Sequence, residues 1–477
     1  MYSVPCGRIA VTCAFLVAVL QGCGTVPDVP HHAVCVGADS CADAVLRDAV
    51  KVRDDVRIDP LGWSACLTGD MQKLEGDADV VRDARCSDRK KAGNEKAAYS
   101  EAWLEYKATG ESHNAPWQRE AVLRWIRAQS GPLYVAVYVH GWHHNADTSN
   151  NDPRNNAIKF ALMMARQVDA LRRLEATNGL RMLQVLGIYV GWQGESYDDL
   201  FRKVISIDSR SKTADRIGRK GVLKTDLMAI TDAMRAQGGS ESRMVVFGHS
   251  FGGRMLTSTF ASDLDRGEPQ PLGADTTIVT LNAAVGADCY DGLLGKAGKN
   301  PERERPTWIN ITSEDDTATK LLYPFASGIK RVDGCHPDSA ANSATVGHYR
   351  PYLNQVLDQV GCNDCDKGGG DPQARARALA SEPRWFRRPD RLFLAFPQRV
   401  HGVPDPQATR VRSINFAVED GRSMQVLGQG LWNVRSDESI FDFSVGGGGV
   451  GGRHNGYVNT IRMRLLTEVQ YPGLGTP

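Results

Sequence analysis

The chain lacks a long hydrophobic run, an excess of either charge and any internal repeat of fixed period. Its N-terminal apolar stretch, Ile9 to Leu20, is shorter than the roughly 20 residues a bilayer-spanning helix needs. Lysine and arginine number 57 against 56 aspartates and glutamates, and no basic block exceeds Arg89-Lys90-Lys91. That balance argues against nucleic acid as a main partner. The absence of a repeat excludes a solenoid. A single C-x-x-C, Cys362-Asn-Asp-Cys365, has no second copy to complete a zinc ribbon. It reads as a structural staple in a glycine-rich loop, with a redox or zinc motif as the alternative. At 477 residues the chain has room for one large decorated domain or two to three smaller ones.

What is present at the N-terminus points to export. Arg8 precedes the apolar run, whose length is that of a signal-peptide core. Leu20-Gln21-Gly22-Cys23 follows and resembles the lipobox of bacterial lipoproteins, although Gln21 stands where a small residue is usual. The resemblance implies cleavage before Cys23 and lipid attachment to its thiol. Gly24, rather than aspartate, implies the outer membrane by analogy with Gram-negative lipoproteins. A plain secretory signal and a short buried helix are the alternatives. Setting aside Cys6, Cys13 and Cys23, eight of the eleven cysteines remain, an even number that suits disulfides in an oxidising compartment. Sequence proximity suggests Cys35–Cys41, Cys66–Cys86 and Cys362–Cys365, which leaves Cys289–Cys335.

Residues 1–22 thus read as a signal, 23–94 as a tether and cysteine-containing segment, and 95–477 as the main domain. Helices are expected around Glu95 to Tyr106 and from Pro116 to Gln129, proline suiting a first helical turn. Leu133 to Val139 is a continuous valine-rich run, the pattern of a strand covered on both faces. Ala157, Ala161, Met164, Val168 and Leu171 then recur at helical spacing. Met182 to Val190, Thr276 to Leu281, Thr307 to Thr312 and Leu431 to Val434 read as further strands. Leu223, Leu227, Ile230 and Met234 mark another helix, and Val458, Ile461 and Leu465 a last one. This alternation predicts an α/β fold with a mostly parallel sheet and helices on both faces. Between about 320 and 430 the pattern breaks into an expected insertion or cap, with a hairpin around Asp420-Gly421.

The most informative segment is Ser242-Arg-Met-Val-Val-Phe-Gly-His-Ser-Phe-Gly-Gly253. It reads as a buried strand, a sharp turn at Gly248-His249-Ser250-Phe251-Gly252, and the start of a helix. Such a nucleophile elbow lifts the Ser250 hydroxyl out of the sheet at the positive end of a helix. An unassisted hydroxyl is a weak nucleophile, so an orienting acid, a base and oxyanion donors are also required. Val139-His-Gly-Trp-His-His-Asn145 follows a strand, and a turn there brings the Trp142 backbone N–H near the elbow, with the Phe251 N–H as second donor. His140, His143 and His144 also raise metal binding, but no acidic partner accompanies them, and no metal or other cofactor is expected. For the acid, Asp316 ranks first, Asp315 second and Asp288 third. For the base, His454 ranks first and His348 second, ahead of His336 and His401. His454 follows the glycine run Gly446 to Gly452, read as a loop hinge or plain disorder, where a loop can reach over the sheet.

These motifs resemble the alpha/beta-hydrolase superfamily, and more closely a set of poorly characterised bacterial and fungal hydrolases. The likeness rests on Val139-His-Gly-Trp-His-His-Asn-Ala146, Tyr189-Val-Gly-Trp-Gln-Gly194, Gly248-His-Ser-Phe-Gly-Gly253, Thr312-Ser-Glu-Asp-Asp-Thr-Ala-Thr319, Val346-Gly-His-Tyr349 and His454-Asn-Gly-Tyr457. It spans about 103 to 466, and the N-terminal signal and cysteine-rich stretch lie outside it. In the family pattern the aspartate is followed by one residue and then alanine, as Asp316 is by Thr317 and Ala318. The resemblance implies a serine triad but no particular substrate. The resulting expectation is an exported, membrane-anchored serine hydrolase acting on a small-molecule or lipid carboxylic ester. Alternatives are a thioester or peptide substrate, or a non-catalytic binding lipoprotein that keeps the fold.

Overall fold

The computed structural model describes residues 28–35, 43–58, 65–67, 98–148, 156–178, 182–194, 200–293, 306–322, 335–359, 393–395, 409–413, 431–436, 454 and 466–471, apart from 115, 143, 269, 314, 315, 317, 337, 354, 468 and 469. The expected signal, Cys23, the Asp420-Gly421 hairpin, the glycine run, Asp315 and His401 lie outside these residues. So does most of the expected last helix.

In chain order the strands are β1 (Lys51–Arg53), β2 (Val56–Ile58), β3 (Ala65–Leu67), β4 (Tyr99–Tyr106), β5 (Leu133–Val139), β6 (Gln184–Trp192) and β7 (Arg243–His249). They continue as β8 (Thr276–Leu281), β9 (Trp308–Ser313), β10 (Gln355–Gln359), β11 (Phe393–Ala395), β12 (Thr409–Ser413) and β13 (Leu431–Ser436). Eleven of them form one sheet in the order β1-β4-β6-β5-β7-β8-β9-β13-β10-β12-β11, while β2 and β3 pair separately. From β4 to β10 every pairing is parallel, and the antiparallel pairings lie at the two ends of the sheet: β1 with β4, β12 with β10 and β11 with β12. The fold is therefore α/β. The described part of 320–430 adds β10, β11 and β12 to one sheet edge.

Side-chain alternation explains why the sheet needs helices on both faces. Along β5, Tyr134, Ala136 and Tyr138 point into one core, and Leu133, Val135, Val137 and Val139 into the other. The first core is closed by α3 (Asn156–Asn178), which contributes Phe160, Met163 and Met164. The second is closed by α2 (Trp117–Arg127), α4 (Leu200–Lys220), α5 (Val222–Gly238) and α6 (Phe251–Thr259). On α5 the expected stripe Leu223, Leu227, Ile230 and Met234 is fully buried; each such side chain contributes roughly 1.5–3 kcal/mol. Between α4 and α5, Gly221 adopts φ 83°, a left-handed conformation that costs glycine little and lets one helix end and the next begin.

Two segments depart from expectation. The region around Glu95 to Tyr106 yields strand β4, not a helix. Glu101 and Glu105, four residues apart, imitate the solvent face of a helix, yet both are buried. Glu101 accepts from Arg53 and the Tyr99 hydroxyl. Glu105 accepts from Gln118 and the backbone N–H groups of His31 and His32. With their charges satisfied, the aromatics Tyr99, Trp103 and Tyr106 favour a strand, here placed between β1 and β6. The same contacts dock residues 28–35, expected as tether, against the domain: His32 stacks on Trp103 at 3.7 Å and its ring bonds the Ala146 carbonyl. Helix α4 has little apolar signal because its buried face includes Ser211, Thr213 and Asp215.

The expected Cys289–Cys335 disulfide is present, and Cys35 is also disulfide-bonded. The other suggested pairs involve positions outside the described residues. Cys289–Cys335 closes a loop of 46 residues that carries β9. Loop-closure entropy for that length is worth about 4 kcal/mol at most. The double variant Cys289→Ser/Cys335→Ser should melt several degrees lower than the native chain; an unchanged thermal midpoint would show that the bond constrains nothing.

Candidate active site

The site forms at the carboxyl ends of the parallel strands: Ser250 directly follows β7, Asp316 comes shortly after β9, and His454 is brought in from well beyond the end of β13. Ser250 follows β7 with φ 54° and ψ −116°, a conformation that costs a non-glycine residue on the order of 1–3 kcal/mol. Its neighbours hold it there: the Ser250 N–H donates to the Leu281 carbonyl, and its own carbonyl accepts from Arg254 and Ala284. Helix α6 then starts against the end of β5. A Cβ on Gly252 would lie 2.1 Å from the Val139 carbonyl oxygen, so no larger residue fits. Below the elbow, Arg254 donates through Nε and Nη2 to Asp215 at 2.9 and 2.6 Å, a buried ion pair that ties α6 to α4.

The structure brings Ser250, His454 and Asp316 together from positions 204 and 138 residues apart in sequence. His454 Nε2 lies 2.7 Å from Ser250 Oγ. Its Nδ1 lies 2.9 and 3.0 Å from the two Asp316 carboxylate oxygens. In this geometry Nδ1–H donates to the carboxylate, leaving Nε2 as acceptor for the serine proton. Asp316 is fully buried. Burial alone would raise its carboxyl, but the neighbouring His454 and hydrogen bonds from His454 and Thr319 outweigh that and hold it below the usual value. Both the N–H and the hydroxyl of Thr319 donate to this carboxylate.

His348 stands one step further back. Since the Thr319 hydroxyl proton is committed to Asp316, His348 Nε2, 3.1 Å away, is placed to donate to Thr319 Oγ1. His348 therefore supports the acid and does not face the serine. The third-ranked acid, Asp288, is remote in role: its carboxylate accepts from the His336 N–H beside the disulfide, and burial raises its pKa. His336 itself is exposed and lies near Asp265.

The Trp142 turn passes alongside the elbow. Across it, a Cβ on Gly141 would sit 3.0 Å from Ser250 Cβ, and the Trp142 and Phe251 rings lie 6.3 Å apart. His140, raised as a metal ligand, uses both ring nitrogens on backbone. Nδ1 bonds the Gly141 carbonyl at 2.8 Å, and Nε2 accepts from the Trp192 N–H at 3.1 Å. Burial lowers its pKa to about 4. Among the described residues no cluster of histidine, cysteine and acidic side chains has the form of a metal site.

Thr319, Asn282 and the ring of His249 also belong to the site, although no sequence pattern sets them apart. Thr319 lies in Thr312-Ser-Glu-Asp-Asp-Thr-Ala-Thr319, and Asn282, directly after β8, carries only the weak signal of a polar residue ending a buried strand. No family model, curated protein or solved structure matches this chain.

Two outcomes follow. Thr319→Val removes a hydrogen bond to a charged group, worth about 1.5–3 kcal/mol. It should slow reaction of Ser250 with a fluorophosphonate by about 10- to 100-fold; an unaltered rate would remove Thr319 from the site. The second concerns pH. Burial holds His348 near 4 in the fold against an ordinary 6.5, so between these values the unfolded chain binds the extra proton. The stability this contributes is complete above 6.5 and is lost as pH falls towards 4. In urea titrations, His348→Gln should flatten that acid-side slope by up to one proton, and an unchanged slope would contradict a neutral, buried ring.

Proposed function

We propose that this chain is a serine hydrolase of alpha/beta-hydrolase type that cleaves carboxylic esters through an acyl-enzyme. The observation that carries the reading is the continuous relay from Ser250 Oγ through His454 to a buried, ionised Asp316. His454 Nε2 takes the proton from Ser250 as Oγ attacks the acyl carbonyl carbon. Asp316 keeps the imidazole in the Nδ1–H tautomer and stabilises the cation that forms. Negative charge develops on the carbonyl oxygen, and the backbone N–H groups of Trp142 and Phe251 are the donors assigned to it. One such donor is typically worth 10²–10³ in rate. The tetrahedral intermediate collapses as His454 returns the proton to the departing alkoxide. Water, activated by the same imidazole, then attacks the acyl-serine and frees the acid. These steps call for no cofactor.

The strained Ser250 backbone and the close contact at Gly252 support an elbow of this type. The lipobox-like Leu20 to Cys23 supports export and attachment to the bacterial envelope membrane through a lipid on Cys23. Among the described residues no helix is long and apolar enough to cross a membrane. Ser250→Ala should abolish both hydrolysis of short acyl esters and labelling by a fluorophosphonate probe. Full labelling of that variant would end the proposal.

A further inference from the structure

We propose that His249 and Asn282 form a latch that holds the backbone of the His454 loop over the sheet, as positioning residues for the relay. The inference rests on the serine-hydrolase reading only for its effect on rate; the latch itself is a matter of backbone geometry.

The carbonyl oxygen of His454 receives two donors. One is His249 Nε2, at 2.9 Å, from the residue immediately before the nucleophile. The other is Asn282 Nδ2, at 2.8 Å, from the residue immediately after β8. Both donors are buried, at 2% and 0% exposure, which makes loss of either bond costly. Asn282 is itself fixed on three sides. It adopts φ 47°, its N–H donates to the Ile311 carbonyl, and its Oδ1 accepts from the Ser313 N–H. It therefore links the ends of β8 and β9 to the loop. His249 can donate only from its Nε2–H tautomer, and burial keeps it neutral by lowering its pKa well below 6.5. A neutral ring matters because the His454 ring, 4.8 Å away, becomes cationic during the relay.

The bonds to Ser250 and Asp316 orient the His454 ring, but they do not fix the position of its Cα. The approach to His454 in sequence is Gly446 to Gly452, six glycines and one valine. The doubly bonded carbonyl fixes the backbone at His454 itself. It ties His454 directly to β7, which leads to Ser250, and through Asn282 to the ends of β8 and of β9, which leads to Asp316, so all three groups share one frame. A shift of about 1 Å in such an arrangement costs on the order of 100-fold in rate.

The test uses the full chain and reads local order apart from activity. Amide hydrogen exchange is followed by mass spectrometry over peptides covering 446–460, alongside the thermal midpoint and fluorophosphonate labelling. Asn282→Asp preserves volume and the Ser313 contact but turns the donor into an acceptor facing the carbonyl. His249→Leu removes the second donor, and His249→Gln retains an N–H of similar reach. Faster exchange in 446–460 is expected for Asn282→Asp and His249→Leu, with other peptides unchanged and His249→Gln close to native. Labelling should slow on the order of 10- to 100-fold in the first two. Native exchange of 446–460 in both Asn282→Asp and His249→Leu would overturn the latch. A native chain that exchanges as expected yet never labels would instead overturn the hydrolase reading and leave the latch standing.

Discussion

The backbone of Ser250 is the constraint on which the rest depends. At φ 54° and ψ −116° it is held away from the regions that L-residues prefer. It persists because its amide and carbonyl are bonded to three neighbours, Leu281, Arg254 and Ala284. The strained turn carries the hydroxyl out of the sheet and starts α6 against β5. That approach demands glycine at 252 and brings the Trp142 turn beside Ser250. The energy stored there is small beside the burial of β5, β7 and α6, which is why the fold can sustain it.

A second theme is the use of buried polar side chains to pin backbone. His140 ties the β5 turn to Trp192, Asn282 ties β8 to β9 and the His454 loop, and Glu105 binds the amides of the N-terminal segment. Each group is out of water and therefore strongly committed to its partner. Burial also favours the neutral form of His140, His249 and His348, while the ring that lies between Ser250 and Asp316 is that of His454. Asp316 accepts from both sides, from His454 and from Thr319 with His348 behind it, and so is held as a carboxylate although it is itself fully buried.

Much of this was readable from one dimension. The valine run of β5, the stripe of α5 and the limits of β8 are strong periodic signals, and the structure reproduces them. The Ser250 elbow and the choices of Asp316 and His454 rested on position after a strand, which parallel topology converts directly into nearness at one sheet edge. The misreading of β4 has a physical cause: Glu101 and Glu105 look solvent-facing until their distant partners Arg53, Gln118, His31 and His32 are known. For the same reason α4, with an ion-paired Asp215 on its buried face, gave too little apolar period to be recognised.

Taken alone, the sequence determined the α/β pattern and the strand, turn and helix around Ser250, because these are written in local spacing and glycine placement, whereas Cys289–Cys335 is reached only as the pair left over once nearer cysteines are matched. Tertiary structure alone decided that His454 lies against Ser250 while His348 stands behind Thr319. It also decided that one carbonyl gathers donors from His249 and Asn282. Those distinctions are ångström-scale consequences of how strands and loops line up at the sheet, which spacing along the chain does not record.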